Sequence, residues 1–147
     1  MSSSARTGLP HAAPDGLLAC VLLAFLATAG LFYVNIMPAL VAGLIDGLGF
    51  SKREAGFVGS ANVYGAACGA LVAVFLVRRL PWRRVEFVAL LLLLAIDLIS
   101  TQVTQAGPLI ALRFVHGIVG GTSVGVGLGV MARTAIPDRA FGMLLTV

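Results

Sequence analysis

Arg113 stands in a long apolar run in which glycine recurs every four residues, at Gly117, Gly121, Gly125 and Gly129. A guanidinium in such a run stays charged, so it needs a carboxylate, a cavity or an interface within reach. Asp97 is the one acid in the preceding apolar run. At 1.5 Å per helical residue, Arg113 lies about 7 Å inward from Pro108 and Asp97 about 12 Å inward from Gln105, a difference that an arginine side chain can bridge. One expectation is therefore an intramembrane Asp97 to Arg113 charge pair. The other has Arg113 snorkelling to the outer interface with Asp97 protonated in the core. His116, one turn from Arg113, has the chemistry of a proton relay or, more often for a single histidine among apolar neighbours, of a hydrogen-bonded packing residue.

Polar and small residues recur elsewhere at helical spacing. Thr28, Phe32, Asn35 and Ala39 share one face of a run that Pro38 should kink, and Asn35 can either bind a solute or join two helices. Ala61, Gly65, Gly69 and Ala73 repeat at four-residue spacing beside Asn62 and Tyr64, which reads as close helix packing. The ridge from Gly117 to Gly129 reads in the same way, since positions four apart drift little around a helix and carry almost no side chain there. No Ser/His/Asp set, phosphate-binding loop or metal-ligand spacing accompanies these residues, so no catalytic residue, metal or cofactor is expected and the chain is not read as an enzyme. Cys20 and Cys68 fall inside apolar runs and read as small fillers.

The elements that must position these side chains follow from where charge is missing. Of 147 residues, 59 % are apolar and 16 are charged (10 Lys and Arg, 6 Asp and Glu), and the mean hydropathy is +1.03. Such a composition excludes a water-soluble globule and a disordered chain. There are 30 uncharged residues between Asp15 and Asp46, 23 between Glu54 and Arg78, 26 between Glu86 and Arg113 broken only by Asp97, and 19 between Arg113 and Arg133. Each gap is long enough to cross about 30 Å of hydrocarbon as a helix. Continuous apolar runs exclude barrel strands.

The expected fold is an all-α membrane protein with four transmembrane helices, about 17–42, 54–77, 83–104 and 109–133, and the start of a fifth at 138–147. Residues 1–16 form an expected flexible cytosolic tail, and 17–147 the transmembrane domain. Asp15 can cap the first helix, Ser51 to Glu54 has capping-box spacing, and Pro81, Pro108 and Pro137 sit where helices would begin. Ala27-Thr28-Ala29 has the small-x-small form of a signal cleavage site, but the apolar run continues through Leu31 to Leu44, so an uncleaved helix is expected. Leu90 to Leu94 make the third helix apolar on all faces there, as a lipid-facing helix would be. The run from Ala140 to Val147 is too short to cross, and a truncated or fragment chain is expected.

Orientation follows from the basic residues. With the N-terminus inside, the inner segments hold seven of them, Arg6, Arg78, Arg79, Arg83, Arg84, Arg133 and Arg139, against Lys52 and Arg53 outside. This positive-inside bias accounts for the pI near 9.8 by topology and not by affinity for nucleic acid. Trp82 flanks the basic loop at interfacial depth. An integral protein of a bacterial cytoplasmic (inner) membrane, N-terminus cytoplasmic, is expected.

The Arg-rich loop between the second and third helices, Arg113-x-x-x-Gly117-x-x-x-Gly121 in the fourth, and the runs Phe32-Tyr-Val-Asn-Ile-Met-Pro-Ala-Leu and Gly56-Phe-Val-Gly-Ser-Ala-Asn-Val-Tyr-Gly-Ala-Ala together resemble the first part of a major facilitator superfamily transporter. The resemblance covers residues 17–147. It implies the N-terminal half of a twelve-helix fold whose two halves rock about a central cavity. The first and fourth helices would line that cavity, the second would sit between the halves and the third at the periphery. It makes Thr28, Phe32, Asn35, Arg113 and His116 candidates for the cavity, and Arg113 the fourth-helix arginine associated with proton coupling. The family's Gly-x-x-x-Asp-Arg-x-Gly-Arg-Arg loop keeps only its last pair here, at Arg83 and Arg84. Phe75, Arg79, Leu80 and Trp82 stand where Gly, Asp, Arg and Gly are usual.

The expected function is thus movement of a small solute by part of a secondary active transporter, in a lipid bilayer, with missing C-terminal helices or another membrane chain as partner. Two alternatives are a dimeric four-helix exporter, which lacks the membrane carboxylate it would need in residues 16–45, and a non-transporting assembly subunit that uses the glycine ridges to bind a partner helix.

Overall fold

The computed structural model describes residues 17–79 and 81–133, together with 138 and 142. These form four helices, α1 (Leu17–Leu48), α2 (Lys52–Arg79), α3 (Trp82–Ser100) and α4 (Ala106–Met131). The segments Ala27–Leu48, Lys52–Leu76 and Ala106–Met131 are long and apolar enough to cross a membrane. α3 has Arg83, Arg84, Glu86 and Asp97 within its 19 residues. The tail 1–16, the Asp15 cap, Pro137 and all of the expected partial helix except Asp138 and Gly142 lie outside the described residues.

Local signals explain where the helices start and stop. α1 runs through Pro38 and on to Leu48, beyond the expected end at 42. It stops at Gly49, whose φ of 69° is cheap only without a Cβ. The chain then folds back, with Phe50 N–H donating to the Leu44 carbonyl at 3.1 Å. Leu44 and Phe50 thereby join Ala55, Val58 and Leu109 in one apolar cluster that ties α1, α2 and α4 together.

α2 opens on a reciprocal cap: Glu54 N–H donates to Ser51 Oγ (3.2 Å) while Ser51 N–H donates to Glu54 Oε2 (2.9 Å). Two orphan amides are satisfied at once, and the helix begins at Lys52, earlier than 54. α3 ends at Ser100 and not at 104. Ser100 and Thr101 turn their hydroxyls onto the carbonyls of Ile96 and Leu98 (both 2.7 Å), local bonds that compete with helix extension. α4 starts at Ala106 and not at 109, so Pro108 sits inside its first turn, where no amide donor is needed.

α4 is the central element. A Cβ placed on Gly65 or Gly69 of α2 would fall onto the carbonyl oxygens of Phe114 and Ile118, and one on Gly117 or Gly121 of α4 onto those of Asn62 and Ala66. The two backbones therefore touch directly, and only glycine fits at the four contact points. Gly125 meets Ala73, and Gly129 continues the row half-buried. Thr122 adds a polar stitch, its hydroxyl lying 3.1 Å from Gly69 O and 2.8 Å from its own helix at Ile118 O.

α1 crosses the other side of α4, where Gly30 lies against Gly120 and Val124. α3 lays a stripe of Glu86, Ala89, Leu93, Ile96 and Ser100 inward. Within the leucine run, Leu90, Leu91, Leu92 and Leu94 are exposed and Leu93 is buried, because the 3.6-residue period turns every third or fourth position toward α4.

Candidate functional site

Four polar side chains, one from each helix, converge around Arg113. Asp97 sits one turn before the end of α3, and Arg113 lies two turns into α4, so both point into the space between the helices at the same end. Arg113 Nη1 donates to Asp97 Oδ1 at 2.6 Å. The arginine side chain is 10 % exposed and that of Asp97 52 %. His116, one turn further along α4, brings Nε2 to 3.5 Å from Asp97 Oδ2, so both basic groups address one carboxylate.

α1 and α2 complete the arrangement. The Tyr33 ring lies under the Arg113 guanidinium at 4.5 Å and packs against the His116 ring at 5.2 Å with a 52° tilt. Asn62 donates its amide to the Arg113 backbone carbonyl at 3.2 Å and lies 3.0 Å from His116 Nδ1. A carbonyl can only accept, so the amide nitrogen and not its oxygen must be the atom facing both groups. In neutral His116 that makes Nδ1 the acceptor and leaves the proton on Nε2, the atom that faces Asp97. The Tyr33 hydroxyl and Arg113 Nε are buried and meet no hydrogen-bond partner.

Beside this cluster a cleft of about 200 Å³ runs between α1, α2 and α4 along Gly30, Asn62, Ala66, His116 and Gly120. Glycine does two jobs there. It lets α2 and α4 touch below the cleft, and it leaves the wall next to His116 without side chains.

A second carboxylate lies toward the other end of α3. Glu86 is 3 % exposed, and its Oε2 accepts from Ser123 Oγ of α4 at 2.7 Å while Oε1 is buried without a partner. Sequence spacing alone groups Glu86 with the basic loop, since it follows Arg83 and Arg84 closely. The signal that marks it as inward-facing is its helical register with Ala89, Leu93, Ile96 and Ser100.

The other sequence candidates are placed apart from the cluster. Thr28 is half-buried and bonds its own helix at Ala24 O (2.9 Å). Phe32 and Asn35 are exposed on the side of α1 turned away from α4. Arg83 stacks over Trp82 at 5.4 Å, and Arg84 borders an apolar groove of about 340 Å³ with Pro81, Val72 and Leu76. Arg78 and Arg79 close α2, and their side chains lie outside the described positions. Cys68 is a free, exposed thiol. Among the described residues no three His, Cys, Asp or Glu side chains are grouped so as to hold a metal. Tyr33 and Asn62 are both central to the cluster, but in the sequence Tyr33 stands only within the first-helix run that carries the resemblance and Asn62 only beside packing positions.

These are apolar helices packed through glycine, with a charge cluster at their centre. A family profile described as uncharacterised MFS-type transporter YbfB matches residues 26–141. No curated protein and no solved structure matches the chain. The profile spans most of α1 and all of α2, α3 and α4, including every residue of the Arg113 cluster, and the chain therefore belongs to this family of major facilitator transporters, as an integral membrane protein.

Proposed function

We propose that the chain supplies the first four transmembrane helices of a proton-coupled secondary transporter for a small solute, working by alternating access. The Arg113 cluster is its coupling site. The observation that carries this reading is the convergence of Tyr33, Asn62, Asp97, Arg113 and His116 from four separate helices onto one ion pair. Ionisable groups are retained inside apolar helices where they bind or move ions, since their burial is otherwise a cost without return.

Several features support α3 as a fourth span. Its 19 residues reach about 28 Å at 1.5 Å per residue. Arg83 and Arg84 lie in its first turn, where they reach the interface, Glu86 is hydrogen-bonded to Ser123, and Asp97 is paired with Arg113. The basic loop between α2 and α3 favours a cytoplasmic N-terminus in a bacterial inner membrane. The exposed Phe32 and Asn35 face of α1 is available to a central cavity completed by further transporter helices.

Inverted membrane vesicles from cells expressing the chain, energised to hold a pH gradient and challenged with a panel of small solutes, test this reading. One solute class should shift the lumenal pH, and Arg113→Gln should abolish that response. Absence of any solute-dependent proton movement relative to a deletion strain refutes it.

A further inference from the structure

The donors and acceptors around Arg113 do not balance. Arg113 Nε–H and the Tyr33 hydroxyl are buried with no acceptor, and the Asn62 amide hydrogens are taken by the Arg113 carbonyl and His116 Nδ1. Asp97 is the only anion the described structure brings to this group of donors, and it serves them from the exposed side, at 52 % against 10 % for the arginine. Buried donors left without acceptors are costly, and a site with surplus donors around a fixed guanidinium selects an acceptor-only, planar anion.

We infer that this site binds the carboxylate of a small organic acid, and that Asp97 occupies the arginine as an internal stand-in which is released by protonation when the solute carboxylate arrives. The inference rests on the transporter reading and names the solute class. The exchange balances in charge and in atoms. The Asp97 carboxylate leaves the guanidinium and takes one proton from solution; the solute carboxylate, still ionised, takes its place on Arg113 and accepts from Tyr33. One anion and one proton are bound together, and the net charge of the site is unchanged. The groups that face Asp97 are Arg113 and His116 from α4 and Tyr33 from α1, while α2 presents the uncharged Asn62. His116 is thus the one other candidate for the proton, and the test must separate it.

The full chain in lipid nanodiscs is titrated with sodium acetate and read by thermal unfolding, with sodium chloride at equal ionic strength and acetamide as controls. Asp97→Ala should raise the acetate-induced shift of the midpoint by mimicking the released state, and Asp97→Ala with Arg113→Gln should remove it. In the wild type the shift should grow at low pH, with apparent affinity rising up to tenfold per pH unit. Asp97→Asn should make it independent of pH, and His116→Gln should keep the wild-type profile. Equal shifts with acetamide, no shift with any variant, or loss of the pH dependence in His116→Gln instead of Asp97→Asn overturns the assignment. The vesicle response to solutes other than carboxylates would leave the transporter reading intact while the carboxylate assignment fails. Acetate binding without proton movement in vesicles would do the reverse.

Discussion

Arg113 and Asp97 are joined at 2.6 Å across the α3–α4 contact, but only the aspartate side chain looks outward, 52 % exposed against 10 % for its partner. The arginine is held by its backbone carbonyl through Asn62 and by the Tyr33 ring beneath it, whereas among the described residues the Asp97 carboxylate has, beyond the arginine, only the longer contact to His116 Nε2 at 3.5 Å. Removing the two partners should therefore have unequal effects. Arg113→Gln leaves a half-exposed carboxylate that water or lipid headgroups can solvate, and Asp97→Asn leaves a buried guanidinium without its anion. Asp97→Asn should be the more destabilising change, and a double-mutant cycle should give a coupling of about 1 to 3 kcal/mol. The measurement is thermal unfolding in detergent. A charge swap, Asp97→Arg with Arg113→Asp, should recover part of the loss of the singles; no recovery would mean that the pair contributes nothing beyond its two environments.

The α2–α4 contact makes a sharper prediction, because its glycines differ in what surrounds them. A Cβ at Gly121 would fall onto the Ala66 carbonyl, and backbone cannot yield as a side chain can; at Gly43 of α1 nothing lies within 4 Å. Gly121→Ala should cost about 2 kcal/mol or more through forced separation of the helices. Gly43→Ala should be neutral or stabilising by up to about 1 kcal/mol, from helix propensity alone. Paired unfolding curves of the two variants check this, and equal effects would argue against the close backbone approach.

The four apolar runs, the cap that opens α2 and the charges within the runs were the legible parts, because each is decided by local sequence. The Ser51 and Glu54 reciprocal cap needs only a spacing of three, and Arg113 and Asp97 announce themselves as ions in apolar runs. Tyr33, Asn62 and Ser123 are different in kind. Each is unremarkable in its own helix and acquires its role from the residue opposite on a neighbouring helix, Arg113 for Tyr33, His116 for Asn62 and Glu86 for Ser123, a register that packing sets and local sequence does not. Glu86 was hidden by its neighbours, since two arginines just before it mimic the end of a span. Phe32 and Asn35 show the converse: they share a face by spacing, but that face points away from α4 because Gly30 and Tyr33 take the inner one.

The cap at the start of α2 should be separable from the cluster. Ser51→Ala removes the acceptor of the Glu54 amide and should cost about 1 kcal/mol. Glu54→Ala removes the return bond, and the double variant should lose less than the sum, because each half positions the other. Unfolding midpoints check the stability, and the acetate response of the nanodisc protein should stay as in the wild type.

Glu86 and Ser123 offer the last comparison, because the buried carboxyl group has one satisfied oxygen and one orphan. Ser123→Ala leaves both oxygens unpartnered and should cost about 1 to 3 kcal/mol. Glu86→Gln retains an acceptor for the Ser123 hydroxyl, so it should be close to neutral in stability. Glu86→Leu is better tolerated than Ser123→Ala on the same argument, since replacing a buried polar group with an apolar one of similar size removes the unmet demand as well as the bond. Glu86→Lys, in contrast, places an ammonium at a buried position opposite the neutral Ser123 hydroxyl, and should prevent accumulation of the protein in the membrane. Expression and unfolding of the four variants in one series decide it: an order of stability with Glu86→Gln near wild type, Glu86→Leu next, Ser123→Ala below both and Glu86→Lys absent follows from hydrogen-bond satisfaction alone. If Glu86→Gln instead falls to the level of Ser123→Ala, the carboxyl group itself is required at this position and hydrogen-bond satisfaction alone does not set the order.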